Sequence, residues 1–521
     1  MEKEGVTACA LQHPTRRFFN IKREKNMTNS SKYILLALVF PSLLAAQPWP
    51  DSRWVGGFEE NPGVPGYANY SIRFTAGGGQ VDTLDWNMKF ESTVASFTDS
   101  TGRLLFVSNG CYVADGQGNV LANGDGLNAG EMHDWTCDKV GYVAPRGAMA
   151  LPAPGKPGLY YLFHMGLRYD AVRKLRYGPL YYSVIDMNAN GGKGAVTIKN
   201  KLLLGGELEP FSAVRHGNGR DWWLVAPAWH TNSVYRALLS PTGLQTFPSQ
   251  SLGQALAGHR VGATTFSLDG SRFARYHCDQ GATVADFDRC TGAFSQPIFI
   301  PAPFSFLQGG GAAFSPDSRK LYVSSQSALY VADLEDAAPK WDTVFYLYDN
   351  WDWGTTLHHM QYAPDGKLYV STHSRANYLS ALSFPPDGGL PSFSFRALPL
   401  KVYSERTLPH FPNFRLFDYP NSPCDTLGIN TPISSIGEAV TGSLRVWPNP
   451  AHEMLQVECA PDLQPARWAL YTALGQQALS GTWPAQQTSL RLSLSHLAPG
   501  VYFLMVTDGQ GRQRVSRVAV E

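Results

Sequence analysis

"AFSPDSRKLYVSS", residues Ala313 to Ser325, sets a polar turn, Ser315-Pro316-Asp317-Ser318, between an aromatic residue and an alternating run that reads as a β-strand. Nearly the same phrase occurs as "TFSLDGSRFARY" from Thr265 and "QYAPDGKLYVST" from Gln361. The aspartates Asp269, Asp317 and Asp365 lie 48 residues apart each time, 317 − 269 and 365 − 317. A fixed period of this length is the sequence sign of a repeat architecture.

Weaker copies precede these three. "SFTDSTGRLLFVS" (Ser96 to Ser108) keeps the whole phrase, while "ALPAPGKPGLYYLFHM" from Ala150 and "AVRHGNGRDWWLVAP" from Ala213 keep strand, Gly-rich turn and aromatic strand. Six turns thus fall near residues 100, 155, 218, 269, 317 and 365. Spacings of roughly 48 to 63 residues suit a four-stranded β-sheet blade with its loops. Continuing the period predicts a further turn near 413, in "LPHFPNFRLFDY", with a seventh blade completed there by an N-terminal strand such as Tyr67 to Thr75. The expected fold is all-β, a propeller of seven four-stranded blades, its ring closed by the first and last segments of the chain. Trp222, Trp223, Tyr160, Tyr161 and Tyr322 are expected to pack between blades.

Composition agrees. In 521 residues there are 50 Gly and 36 Pro, 12% are aromatic, and no long stretch has helical period. The 43 basic and 42 acidic residues form no long single-sign run, which gives no electrostatic ground for a nucleic-acid partner. From Met27 the chain reads as a secretory signal: Lys32, an apolar core from Ile34 to Leu44, then Ala45-Ala46 before Gln47. Residues 1–46 are therefore a leader, with translation expected to start at Met27, and no transmembrane segment is expected in the mature chain. Export leaves Cys111, Cys137, Cys278, Cys290, Cys424 and Cys459 to fold under oxidising conditions. Cys111 and Cys137 are candidates to pair; a hairpin turn at Asp279-Gln280-Gly281 would hold Cys278 and Cys290 beyond the roughly 7 Å Cα limit for a bridge.

Residues 47–420 make up the propeller and 421–441 a linker of small and polar residues. Residues 442–521 alternate as strands between Pro, Asn and Gly turns, the pattern of a small Ig-like β-sandwich. This tail resembles the type A C-terminal sorting domain of the type IX secretion system of Bacteroidetes. Pro448, Asn449 and Pro450 match at its start, Leu474 and Gly475 in its middle, and Pro499, Gly500 and Tyr502 near its end. The resemblance implies Sec export, the type IX machinery as partner, and a destination on the cell surface or outside the cell. The "FSPDG" phrases resemble those of WD40-like and PD40-type propellers, and "DFDRCTG" and "LPHFPNFRLFDYPNSPCDTLG" resemble segments of secreted Bacteroidetes propellers. Neither resemblance carries a catalytic residue.

The chemistry-bearing clusters are few. "GEMHDWTC" offers Glu131, His133 and Asp134; "YDNWDWGTTLHHM" offers Asp349, Asp352, His358 and His359; "LEPFSAVRHGNGRD" offers Glu209, Arg215 and His216. Strand alternation would send His358 and His359 to opposite sides. Tyr348, Trp351 and Trp353 suit stacking on sugar rings or anchoring a protein contact. Asn123, Asp125, Asn128 and Glu131 are candidate calcium ligands without EF-hand spacing; no other cofactor is expected. No G-x-S-x-G elbow, P-loop or H-E-x-x-H occurs. The leading reading is an exported, non-catalytic binding module for a glycan, protein or matrix ligand. A propeller hydrolase or lyase acting on polysaccharide and a structural envelope component are the alternatives.

Overall fold

A computed structural model describes residues 49–521 apart from 58–65, 76–77, 171–173, 257–261, 303–309, 348–355, 386–389, 421, 428–443, 460–464, 473–476, 485–486, 498–499 and 509–512. The leader, most of the linker, Tyr348, Trp351, Trp353, Leu474, Gly475 and Pro499 lie outside the described residues.

Between residues 53 and 404 the chain forms antiparallel sheets in strict succession, each a meander of neighbouring strands. The first has three strands, Arg53–Gly57, Asn69–Thr75 and Gly78–Leu84, and the second spans 95–115 with three. Five four-stranded sheets follow, at 148–204, 212–251, 263–301, 312–346 and 360–404. This serial stack of meanders is a propeller-like all-β fold. Each of the six turns read from the sequence joins the first two strands of a sheet, from the second sheet to the seventh.

The repeated aspartate holds that turn. Its carboxylate accepts the backbone N–H two residues on: Ser271 N to Asp269 Oδ1 at 3.0 Å, Arg319 N to Asp317 at 3.2 Å, Lys367 N to Asp365 at 3.2 Å. Ser267 and Ser315 also donate to Asp269 and Asp317, both at 2.5 Å. The phrase recurs because each turn leaves the same N–H groups to be satisfied locally.

The first and seventh sheets meet. Trp54 lies edge-on to Tyr369 with centroids 5.8 Å apart, Tyr70 and Ser404 share a hydroxyl hydrogen bond of 3.1 Å, and Tyr403 N donates to Gly66 O at 2.8 Å. Beside strand Arg53–Gly57 runs a closing segment, residues 407–415, in the opposite direction. Thr407 donates to Gly57 O, and eight residues on (415 − 407) Arg415 pairs with Asp51 at 2.7 Å. Leu408, Phe411 and Phe414 are buried in the main core, Phe414 against Phe97 and Trp222. Asn413 stands 48 residues after Asp365 (413 − 365) and repeats its turn: Arg415 N donates to Asn413 Oδ1 at 3.0 Å. The seventh turn is therefore present. The segment itself forms no ladder, because Pro409 and Pro412 supply no N–H.

Cys111 pairs with Cys137 as expected, and Cys290 pairs with Cys424, which anchors the chain beyond the closing segment. Trp222, Trp223 and Tyr322 are buried, and Tyr160 and Tyr161 half-buried, in packing roles. In the tail, a three-stranded and a four-stranded antiparallel sheet share one apolar cluster that includes Leu455, Leu470, Tyr502 and Leu504. Asn449 Oδ1 accepts Ala519 N at 2.8 Å, tying the start of the tail to its last strand.

Candidate functional site

The loops that lead into the first strands of the sheets gather polar side chains at one end of the fold's axis. Arg146 precedes the third sheet, His358 and His359 precede the seventh, His373 follows strand Leu368–Val370, and Arg406 and His410 flank the start of the closing segment. His358 and His359 lie ring to ring at 3.9 Å, with His373 at 5.1 Å from His358. All but His373 and Arg406 are buried below a tenth exposed. The alternation expected for His358 and His359 does not hold. Both rings are buried together because residues 356–359 are irregular backbone ahead of the strand, where the two-residue period does not apply.

Polar demand in this cluster exceeds supply. His358 Nδ1, both ring nitrogens of His359, His373 Nδ1, and the Nε atoms of Arg146 and Arg406 have no hydrogen-bond partner among the described residues. Buried polar groups are nearly always paired, so such a concentration marks a site that expects water or a ligand. Burial pushes the pKa of His358, His359 and His410 well below the ordinary range, helped by the charge of Arg146 in each case. His373 is lowered to about 4 by burial and by Arg406. The imidazoles are thus neutral at pH 7 and act as hydrogen-bonding groups. Burial lowers Arg146 to about 10, so its guanidinium stays charged. It also sits at φ 53, a left-handed conformation that costs a non-glycine residue about 1 kcal/mol or more.

Towards solvent, Arg406 binds Glu91 and Glu405, each at 2.7 Å, and with Glu91 forms one wall of a pocket of about 440 Å³. The facing wall is apolar: Met132, Trp135, Tyr169 and Leu175. Trp135 is 53% and Tyr169 45% exposed, their rings edge to face at 5.9 Å. Trp135 projects because Met132 and Thr136 take the inward positions of the short helix Glu131–Thr136, which the Cys111–Cys137 bridge holds in place.

The other site residues read from the sequence are dispersed. His133 and Asp134 sit on that helix and pair with each other at 3.1 Å, Asp134 being well exposed. Asn123 and Asp125 converge on the Lys199 ammonium, 2.9 Å from Asn123 Oδ1. Asn128 turns inward to His164 Nδ1 at 2.7 Å, and Glu131 faces solvent, so the four oxygen donors do not meet at one point. Among the described residues no three His, Cys, Asp or Glu side chains form a metal-binding group. Glu209 is fully buried, its carboxylate held by Arg275 and by His277 at 2.9 Å, whereas Arg215 bonds Gly219 O and Phe414 O and His216 bonds Cys290 O, so that candidate cluster is dispersed. Arg146, His373, Arg406, His410, Trp135 and Tyr169 were not singled out by sequence motifs. Trp135 near Cys137 and His410 between the prolines of "LPHFPNF" have a local signal of position; Arg146, Tyr169, His373 and Arg406 have none.

Residues 445–521 match the family model of the secretion system C-terminal sorting domain. That domain directs the protein through type IX secretion to the cell surface or extracellular space. No curated protein matches the chain. Solved structures similar to it include a provisionally assigned 6-phosphogluconolactonase from Bacteroides fragilis, at 12% identity and TM-score 0.41, covering 68% of this chain and 97% of that one. Its counterpart from Bacteroides uniformis shows 13% identity and TM-score 0.36, with 67% and 97% covered. Hsv2 of Kluyveromyces lactis shows 13% identity and TM-score 0.31, with 69% and 100% covered. All three TM-scores lie below 0.5, so the fold assignment rests on the sheet topology.

Proposed function

We propose that this exported chain is a non-catalytic binding module, a seven-bladed propeller of WD40-like or PD40-type repeats that presents a glycan site at the mouth of its axis. The first sheet supplies three strands of the seventh blade and the closing segment stands in the place of its innermost strand. On this reading residues 1–46 are the leader, 47–420 the propeller, 421–441 the linker and 442–521 an Ig-like sorting domain of Bacteroidetes type. The observation that carries the glycan assignment is the pairing of Trp135 and Tyr169, two exposed rings that share a pocket with Lys139, Glu91 and Arg406. Aromatic faces stack on the C–H surface of sugar rings while neighbouring charged groups bond hydroxyls, a division of labour that gives affinity and orientation together.

The test is a thermal melt of the purified full-length protein with a panel of soluble polysaccharides, because a ligand that prefers the native state raises Tm. A concentration-dependent rise that Trp135→Ala and Tyr169→Ala abolish, with the unliganded Tm unchanged, supports the assignment. A rise that both variants retain places the ligand elsewhere and overturns it.

A further inference from the structure

On the far side of Arg146 from the aromatic mouth lies a second cavity of about 280 Å³. Its inner end is Arg146 and His410; its sides are the first strands of the fourth to seventh sheets and the closing segment. The exposed turn residues Pro316 and Gly366 line its outer end, so it opens at the turn face of the fold. Asp51 and Arg415 also line it, but they neutralise each other in a two-pronged pair of 2.7 and 2.9 Å. What remains is Arg146. The residue is 4% exposed; its guanidinium donates to Met360 O at 2.9 Å, makes no ion pair among the described residues and leaves Nε unsatisfied among them.

We infer that this chamber binds a small carboxylate or phosphate anion, with Arg146 as its counter-charge and His410 beside it at the inner end. Charge decides between ligand classes. A buried guanidinium without a carboxylate carries an uncompensated desolvation penalty, which an anion relieves and a cation makes worse. The histidines nearby do not converge into a metal-binding group among the described residues, in line with a site built for an anion. Arg146 offers the planar fork that matches two oxygens of a carboxylate or phosphate, and the volume suits a ligand of about ten heavy atoms. Anion binding here stands apart from the glycan assignment, because among the described residues the two cavities share no lining side chain.

Isothermal titration of the full-length exported protein with inorganic phosphate, sulfate, citrate and gluconate tests it, each probe run separately and then in competition. Saturable binding of at least one probe is expected, and the competition order separates a phosphate from a carboxylate preference. Arg146→Met should weaken that binding at least tenfold while Trp135→Ala leaves it unchanged. If Arg146→Met does not fold, Arg146→Lys keeps the charge without the fork, and a tenfold loss is again expected. No binding by any probe at about 10 mM, unchanged affinity in the Arg146 variants, or saturation by zinc or nickel in place of the anions would each overturn the inference.

Discussion

In the sheets at 263–301, 312–346 and 360–404, each first strand is joined to its second by a local turn and a backbone ladder. The closing segment 407–415 runs beside strand Arg53–Gly57 with two prolines and no ladder. It keeps one element of the repeat, the Asn413 turn, and replaces the rest with side chains: Phe411 against Trp54, Phe414 against Trp222, Arg415 on Asp51, and Gln361 bonding Phe411 O. A repeat unit is stabilised mainly by residues near it in sequence. The closure joins residues more than 300 apart (415 − 51) and depends on buried rings and on the Cys290–Cys424 bridge. Local satisfaction tolerates substitution; long-range closure concentrates its stability in a few groups.

The largest effect should therefore follow Phe414→Ala. Phe414 is 1% exposed at the meeting point of Phe97, Trp222 and Phe411, and the loss is expected at about 3–5 kcal/mol in equilibrium denaturation of the full chain. Phe314→Ala, equally buried in the sixth sheet, should cost a similar amount. The two differ in coupling. Phe414→Ala should be strongly non-additive with removal of the Cys290–Cys424 bridge and Phe314→Ala additive with it. Additivity in both cycles would show that the closure is not a separate cooperative unit.

Removing Cys290–Cys424 by paired Cys→Ser substitution should cost about 2–4 kcal/mol. Because its ends are 134 residues apart and those of Cys111–Cys137 only 26, loop entropy alone makes the first bridge worth about 1.5 kcal/mol more. Equal losses for the two bridges would argue that the closing segment stays in place without its covalent anchor.

Acid acts on both regions through buried histidines. His164, in the third sheet, has both ring nitrogens paired, to Asn128 and Ser183, and burial lowers its pKa to about 3. Its unfolded pKa is near 6.5, so between about 6.5 and 3 the unfolded state binds the extra proton and stability falls as pH falls. At pH 5 this one residue accounts for about 2 kcal/mol of lost stability relative to pH 7. His410 in the closing segment is shifted in the same direction by burial and Arg146. Melts from pH 7 to pH 5 should show a decreasing Tm whose slope His164→Gln reduces without abolishing, because His358, His359, His373 and His410 are shifted the same way; a flat wild-type profile, or an unchanged slope in His164→Gln, would count against this linkage.

The repeat was legible in the sequence because its signal is local. Each turn aspartate must sit two residues before the backbone N–H it accepts, and Asn413 keeps that offset to Arg415 N although Phe411 stands where Ser267 and Ser315 supply a hydroxyl. The site was not legible for the opposite reason. Arg146, His358, His373 and His410 span 264 residues (410 − 146) and are assembled by the order of sheets around the axis, a relation that no spacing encodes. Strand alternation, sound inside the ladders, misplaced His358 and His359 because it was extended into the loop ahead of the strand. The exposure of Trp135 carries no sequence signal because exposure of a ring is a property of its neighbours, here Met132 and Thr136 taking the inward face.

The smallest effect bears most directly on whether the closing segment is a degenerate repeat or an unrelated plug. In Asp317→Ala the Arg319 N–H and the Ser315 hydroxyl lose their acceptor at a partly solvated turn, where each hydrogen bond contributes about 1 kcal/mol net. Asn413→Ala removes the matching acceptor of Arg415 N and also the donor to Leu268 O at 2.7 Å, so its cost should be equal or somewhat larger. Asn413→Asp is the discriminating change. It restores the residue found at the three regular turns and keeps the acceptor while losing the amide donor. If the turn is the dominant role, Asn413→Asp should recover at least half of the alanine loss in denaturant titrations. A loss as large as that of Asn413→Ala would mean that the bond to Leu268 fixes the residue, and that its 48-residue spacing from Asp365 is coincidental.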